Sequence, residues 1–282
     1  YILDIGGVNE LVYSNGTPVA KGDYTIKQGS NKFDSETIGN YIVQINGNTT
    51  DGGLSATSYS GNEVIIRRGT YAPNSGTIAV AGAYNTTTAD AINNNTVKIY
   101  DGTFKGDIYG GKSSGGDVSD NKVDIYSGIF GSSTGAINIF GGHSTFGNAT
   151  GNVTNIEGGT FANGAFIRGG YSNSGNATGN TLIIKGGTFS GENNNFYGGE
   201  SNNGNAGGNS KEEGNTLNII GGTFGDGSNF YGGKSSYGKA LYNSVNVEGG
   251  TFGNDSAIYG GYAGDSGNAN YNKITINAGT FN

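Results

Sequence analysis

Along this chain, apolar and polar residues alternate over only three to five positions before a glycine interrupts the run. Alternation of period two marks a half-buried strand, and no useful stretch carries the 3.6-residue period of a helix. The alternating runs recur. The pattern Asn-x-[Val/Leu/Ile]-x-Ile-x-x-Gly-Thr-Phe occurs eight times, ending at Tyr71, Phe104, Phe130, Phe161, Phe189, Phe224, Phe252 and Phe281. The intervals are 33, 26, 31, 28, 35, 28 and 29 residues. Nine residues before each aromatic stands an asparagine: Asn62, Asn95, Asn121, Asn152, Asn180, Asn215, Asn243 and Asn272.

A second block follows the first in seven of the eight copies, the last copy ending at Phe281-Asn282. It reads Ile-Tyr-Gly-Gly at residues 108–111 and 258–261, with variants at Ile139-Phe140, Ile167-Arg168, Phe196-Tyr197 and Phe230-Tyr231, each before Gly-Gly. The first copy, 80–83, is degenerate. A softer Gly-Asn-Ala block comes next, as at 147–149, 175–177 and 204–206. Short strands, strict repetition and loops of variable length at fixed places predict an all-β chain. Its expected form is a parallel β-helix, right-handed, of eight to nine coils of about 30 residues stacked about 4.8 Å apart.

Parity predicts which side chains point inward. In 180–184, Asn180, Leu182 and Ile184 share a face, and that face is the core because Leu and Ile recur on it. The asparagines therefore lie inside, where stacked amides can bond from coil to coil. Ile184 to Phe189 is an odd step, so the chain must turn at Gly186-Gly187 to bring Phe189 inward. The aromatics then stack as a second inner row. By the same parity Tyr109, Phe140, Arg168, Tyr197, Tyr231 and Tyr259 point outward. Lys112, His143, Tyr171, Glu200, Lys234 and Tyr262 run beside them just past the glycine pair, with His143 expected in an exposed loop.

The ends differ from the repeats. Residues 1–60 read as an N-terminal cap with irregular coils, and 61–282 as the repetitive β-helix. Tyr1–Ile5, Leu11–Tyr13 and Tyr24–Ile26 read as strands, Ser14-Asn15-Gly16 as a turn, and Asn40-Tyr41-Ile42-Val43-Gln44 as a worn coil with Gln44 where Ile belongs. The stop one residue after a core aromatic, at Phe281-Asn282, leads us to expect that the natural chain continues.

Composition narrows the chemistry. Glycine supplies 57 of 282 residues, yet with two prolines and no Gly-x-y period this is not collagen. Aromatic content of 11% is too high for a disordered linker. With no cysteine and one histidine, thiol chemistry and multi-histidine metal sites are excluded. A net charge of −7 with three arginines argues against nucleic acid. No run is apolar enough to insert in a membrane. The carboxylates are scattered rather than gathered in the groove a polysaccharide-cleaving enzyme needs. No catalytic residue, metal or cofactor is expected. The outward aromatic row is the one feature that costs something without serving the core, so Tyr109, Phe140, Arg168, Tyr171, Tyr197, Tyr231, Tyr259 and Tyr262 are the candidate ligand-binding residues.

Copies such as Ile-Tyr-Gly-Gly-Tyr-x-Gly-Asp-Ser-Gly-Asn-Ala at 258–269, leading into Gly-Thr-Phe, resemble the repeats of bacterial autotransporter-type adhesin passengers. The resemblance spans residues 61–282. It implies a secreted or outer-membrane-anchored cell-surface segment. Such a segment would be a non-enzymatic adhesin or stalk binding host or matrix glycans or proteins through the aromatic row. Two other readings stay open: an extracellular matrix or filament protein that associates end to end, and a polysaccharide-acting β-helix enzyme.

Overall fold

In a computed structural model, residues 59–282 are described except 73–77, 86–88, 132–134, 163 and 265–266. Before residue 59, only the strands Ile2–Leu3, Leu11–Ser14, Thr17–Pro18, Thr25–Gly29, Lys32–Glu36, Tyr41–Thr49 and Leu54–Ala56 are described. Among the described residues every regular element is a strand. The repeats form a β-solenoid whose strands pair in parallel with their counterparts one coil away.

Each coil has three walls and a short edge. The first wall is the alternating segment, such as Thr96–Ile99, Lys122–Ile125 and Thr181–Ile184, in unbroken register. Eight such segments stack from Glu63–Tyr71 to Lys273–Ile276, enclosing seven complete turns. The second wall is the two-residue strand ending in the core aromatic, such as Thr188–Phe189. The third wall carries the Ile-Tyr-Gly-Gly block, in strands such as Asp107–Ser113, Ala165–Ser172 and Asn229–Ser235. The short edge is the Gly-Asn-Ala block, as in Ala149–Thr150 and Ala177–Thr178.

Before the first full coil, Tyr41–Thr49 pairs in parallel with Glu63–Tyr71 and places Gln44 against Ile66. Leu54–Ala56 likewise pairs with the third wall. Of the worn coil read at 40–44, residues 41–44 lie in this parallel strand, and Asn40 falls outside the described residues. Farther toward the N-terminus the pairing turns antiparallel: Ile2–Leu3 with Leu11–Ser14, that strand with Thr17–Pro18, and Thr25–Gly29 with Lys32–Glu36. The turn expected at Ser14-Asn15-Gly16 falls, at 15–16, outside the described residues.

The interior follows parity. Asn180, Leu182 and Ile184 are fully buried, and Phe189 joins them across the turn. The glycine just before the Thr-Phe step takes positive φ in all eight copies, for example 107° at Gly187 and 114° at Gly222. A side chain would be strained there. Tyr71, Phe104, Phe130, Phe161, Phe189, Phe224, Phe252 and Phe281 stack with ring centroids 4.5–5.1 Å apart. One coil breaks the apolar rule: Thr154 holds the inner position, and its hydroxyl donates to the Arg168 carbonyl oxygen at 2.7 Å.

Inside the stack the asparagine row uses its full bonding capacity. In the middle of the stack, Asn180 Oδ1 accepts both the backbone N–H and Nδ2 of Asn152, each at 3.0 Å. Its own Nδ2 donates to Asn215 Oδ1 at 3.0 Å and to the Ala149 carbonyl at 2.9 Å. Amide-to-amide links continue through all eight residues. Two acceptor and two donor bonds exhaust a carboxamide, so the buried groups carry little desolvation penalty.

Candidate functional site

The candidate face is the outside of the third wall, and its shape begins with the glycine pair. A Cβ on Gly169 would overlap the Gly198 carbonyl and the Thr181 backbone, and one on Gly170 would overlap the Asn180 side chain. The same holds at Gly141-Gly142, Gly198-Gly199 and Gly232-Gly233. Two residues without side chains let the third wall press inward onto the asparagine row. The two outward rows on either side of the glycines meet across this crease, as Lys112 does with Tyr109, His143 with Phe140 and Tyr262 with Tyr231.

This crease corrects the exposed aromatic row. The residues point away from the core as parity requires, but Tyr109 is 3% exposed, Phe140 6%, Tyr197 3% and Tyr231 9%. Arg168, Tyr171 and Tyr259 are half-buried, and Tyr262 is 41% exposed. Each ring is covered by its neighbours along the row and by the opposite row. Lys112 Nζ lies 4.6 Å from the Tyr109 ring centre, and Lys234 Nζ 5.6 Å from that of Tyr231. His143 is likewise no loop residue. It belongs to the strand Ile137–Ser144, edge-on to Tyr109 and Phe140 and stacked 5.0 Å from Tyr171.

Planar groups fill the row. Tyr109 stacks on Phe140 at 5.0 Å, Tyr197 on Tyr231 at 5.0 Å, and Tyr231 on Tyr259 at 4.8 Å. Between the two halves the Arg168 guanidinium takes the place of a ring, 4.9 Å from Phe140 and 5.0 Å from Tyr197. A flat cation on an aromatic face is favourable where water is scarce. Its Nε donates to Glu200 Oε2 at 2.5 Å, and Lys234 sits 3.4 Å from the other oxygen of Glu200. One carboxylate is thus held between two cations.

Burial sets the protonation states. His143 is driven down to about 3 by burial, helped by the charges of Lys112 and Arg168, so its ring is neutral. Its buried Nδ1 has no hydrogen-bond partner. Tyr109 and Tyr197 are pushed well above the usual phenol range by burial, then by Asp107 and Glu200 respectively, and Tyr231 is pushed up to about 12. Burial would lower Arg168, but Glu200 and the facing tyrosines outweigh it, and the pKa is raised. These phenols are poor acids and the arginine is permanently charged.

Elsewhere the wall carboxylates are also engaged. Glu63 pairs with Lys98, Asp124 with Lys122 at 2.9 Å, and Glu157 with Lys185 at 2.6 Å. Among the described residues no three His, Cys, Asp or Glu side chains gather as a metal set. Among them also, no helix is long and apolar enough to cross a membrane.

Two polar rows went unread in the sequence. Ser113, Ser144, Ser172, Ser201 and Ser235 are fully buried. Each donates to a carbonyl one coil back, as Ser172 does to Gly147 at 2.7 Å, and most accept the N–H three residues on. The signal was present as Gly-Gly-x-Ser. The second row lies on the surface of the short edge, where Asp117, Asn148, Asn176 and Asn205 each accept a backbone N–H from the next coil. Comparison with family models, curated proteins and solved structures gives no match for this chain.

Proposed function

We propose that this chain is a non-enzymatic β-helical stalk of a secreted or surface-anchored bacterial protein, of the autotransporter-passenger type, that carries binding sites for host or matrix glycans or proteins. The observation behind this reading is continuity. The asparagine, aromatic and serine rows each tie a coil to the next with the same groups, so the repeat yields length and stiffness. The wall carboxylates Glu63, Asp124, Glu157 and Glu200 are each held by a cation. The stacked outer row reads as a seam that stiffens the crease. Ligand contact through this face then falls to its open rim, where Tyr262 and, at 36% exposure, Tyr84 reach solvent. The test is a glycan and host-protein binding array with the soluble chain, run beside a panel of uronate polymers. Saturable binding without turnover is expected. Absence of binding across the array overturns the adhesive role, and release of unsaturated uronate ends overturns the non-enzymatic one.

A further inference from the structure

The coil with the longest spacing departs from the others at the short edge. Ala177 is followed by Asn180 after three residues, but Ala206 by Asn215 after nine, an excess of six. The extra residues fold over the edge and are tied back to the preceding coil by Gly179 N–H donating to the Glu213 carbonyl at 2.9 Å. Beneath this overhang lies a groove of about 350 Å³, lined chiefly by Thr150, Asn176, Thr178, Asn205, Glu213 and Leu241. That volume sits at the small end of ligand sites, roughly 300–1,000 Å³.

The polar groups in the groove are oriented and incompletely used. Asn176 and Asn205 spend Oδ1 on the backbone N–H groups of Asn205 and Lys239 at 2.8 and 2.9 Å. That fixes each amide and leaves Nδ2 as a donor without a protein partner, one coil spacing apart. Thr150 and Thr178 bring hydroxyls 3.2 Å from each other. Glu213 accepts the Asn209 N–H through Oε2 at 2.5 Å, which holds the carboxylate at the rim with Oε1 open. Leu241 supplies an apolar patch, and Gly207 and Gly208 let the Leu241 carbonyl and the Glu213 carboxylate pack close against the groove backbone.

Fixed amide donors, hydroxyls and one carboxylate acceptor around a small apolar patch match a ring bearing several hydroxyls. A carboxylate at the rim with no cation lining the groove disfavours anions, and a single carboxylate is too few for a hard metal ion. We propose that this groove is a subsite for one neutral pyranose unit, a hexose or N-acetylhexosamine, of a glycan. The inference rests on the glycan-binding reading above and gives it an address on the short edge, away from the aromatic seam.

Saturation-transfer NMR on the soluble chain tests it with methyl α-mannoside, methyl β-galactoside and methyl β-N-acetylglucosaminide as probes. At least one glycoside is expected to bind with a Kd near the millimolar range. Asn176→Ala and Glu213→Gln should each weaken it at least tenfold with an unchanged far-ultraviolet spectrum, while Tyr262→Ala should leave it intact. Binding lost in Tyr262→Ala but kept in the two groove variants overturns the groove and preserves glycan binding at the seam. No transfer to any glycoside overturns the groove, and the array then decides the broader reading separately.

Discussion

Two rows of side-chain carboxamides run along this molecule, one inside and one outside, and they use the same residue differently. In the buried row Asn180 makes four bonds, and both of its amide hydrogens are committed. In the surface row Asn176 accepts one bond at Oδ1 and leaves Nδ2 to solvent or to a ligand. Asn180 is fully buried, so the groups it bonds have no solvent to turn to when it is removed. The outer amide competes with water at every bond. Burial thus turns one carboxamide into a structural fastener and leaves the other available for recognition.

The sharpest way to break this contrast is Asn180→Ala. It strips Asn152 of the acceptor for two donors and leaves Asn215 Oδ1 and the Ala149 carbonyl short of a donor. At about 1–3 kcal/mol for each buried group left unpaired, partly relieved by relaxation, a loss of about 3–5 kcal/mol is expected in chemical denaturation. A loss below about 1 kcal/mol would show that the buried row is not what holds the coils together.

Acid separates amides from the titrating seam. Carboxamides do not titrate, whereas His143 must stay neutral where it packs between Tyr109, Phe140 and Tyr171, close to Lys112 and Arg168. Its folded pKa of about 3 lies below the ordinary 6.5. The unfolded chain therefore takes up a proton that the folded chain refuses, and stability falls as pH drops from about 6.5 toward 3. For one proton the slope is at most about 1.4 kcal/mol per pH unit. His143→Phe should flatten this part of the stability profile, and Asn180→Ala should leave its slope in place. An unchanged slope in the phenylalanine variant would dismiss His143 as the cause.

The smallest effect is expected outside. Asn176→Ala should change stability by no more than about 0.5 kcal/mol, as surface substitutions usually do. A cost comparable with that of Asn180→Ala would erase the distinction between the rows.

Much of this was legible from spacing. Parity placed Asn180 inside, and the odd step to Phe189 located the glycine turn. Parity gives the side of a strand, however, and not the curvature of the wall. The Tyr109–Tyr259 row was read as exposed because nothing local announces that Gly170 must make way for Asn180, a contact between two walls. The buried serines escaped notice because Gly-Gly-x-Ser looks like loop composition until Ser172 is seen bonding to Gly147. The six extra residues before Asn215 could be counted, but their fold over the neighbouring coil depends on Gly179 bonding to Glu213, which length alone does not reveal.

The inner row also has a direction. Inside the stack, each amide accepts from the asparagine on its amino-terminal side and donates to the asparagine on its carboxy-terminal side. Aligned dipoles in a dry interior add and polarise one another, unlike the alternating dipoles of sheet backbones. The sense is the reverse of an α-helix, with the partial negative end at Asn62 and the partial positive end at Asn272. The solenoid thus carries an aligned row of amide dipoles along its interior, and each added coil lengthens it.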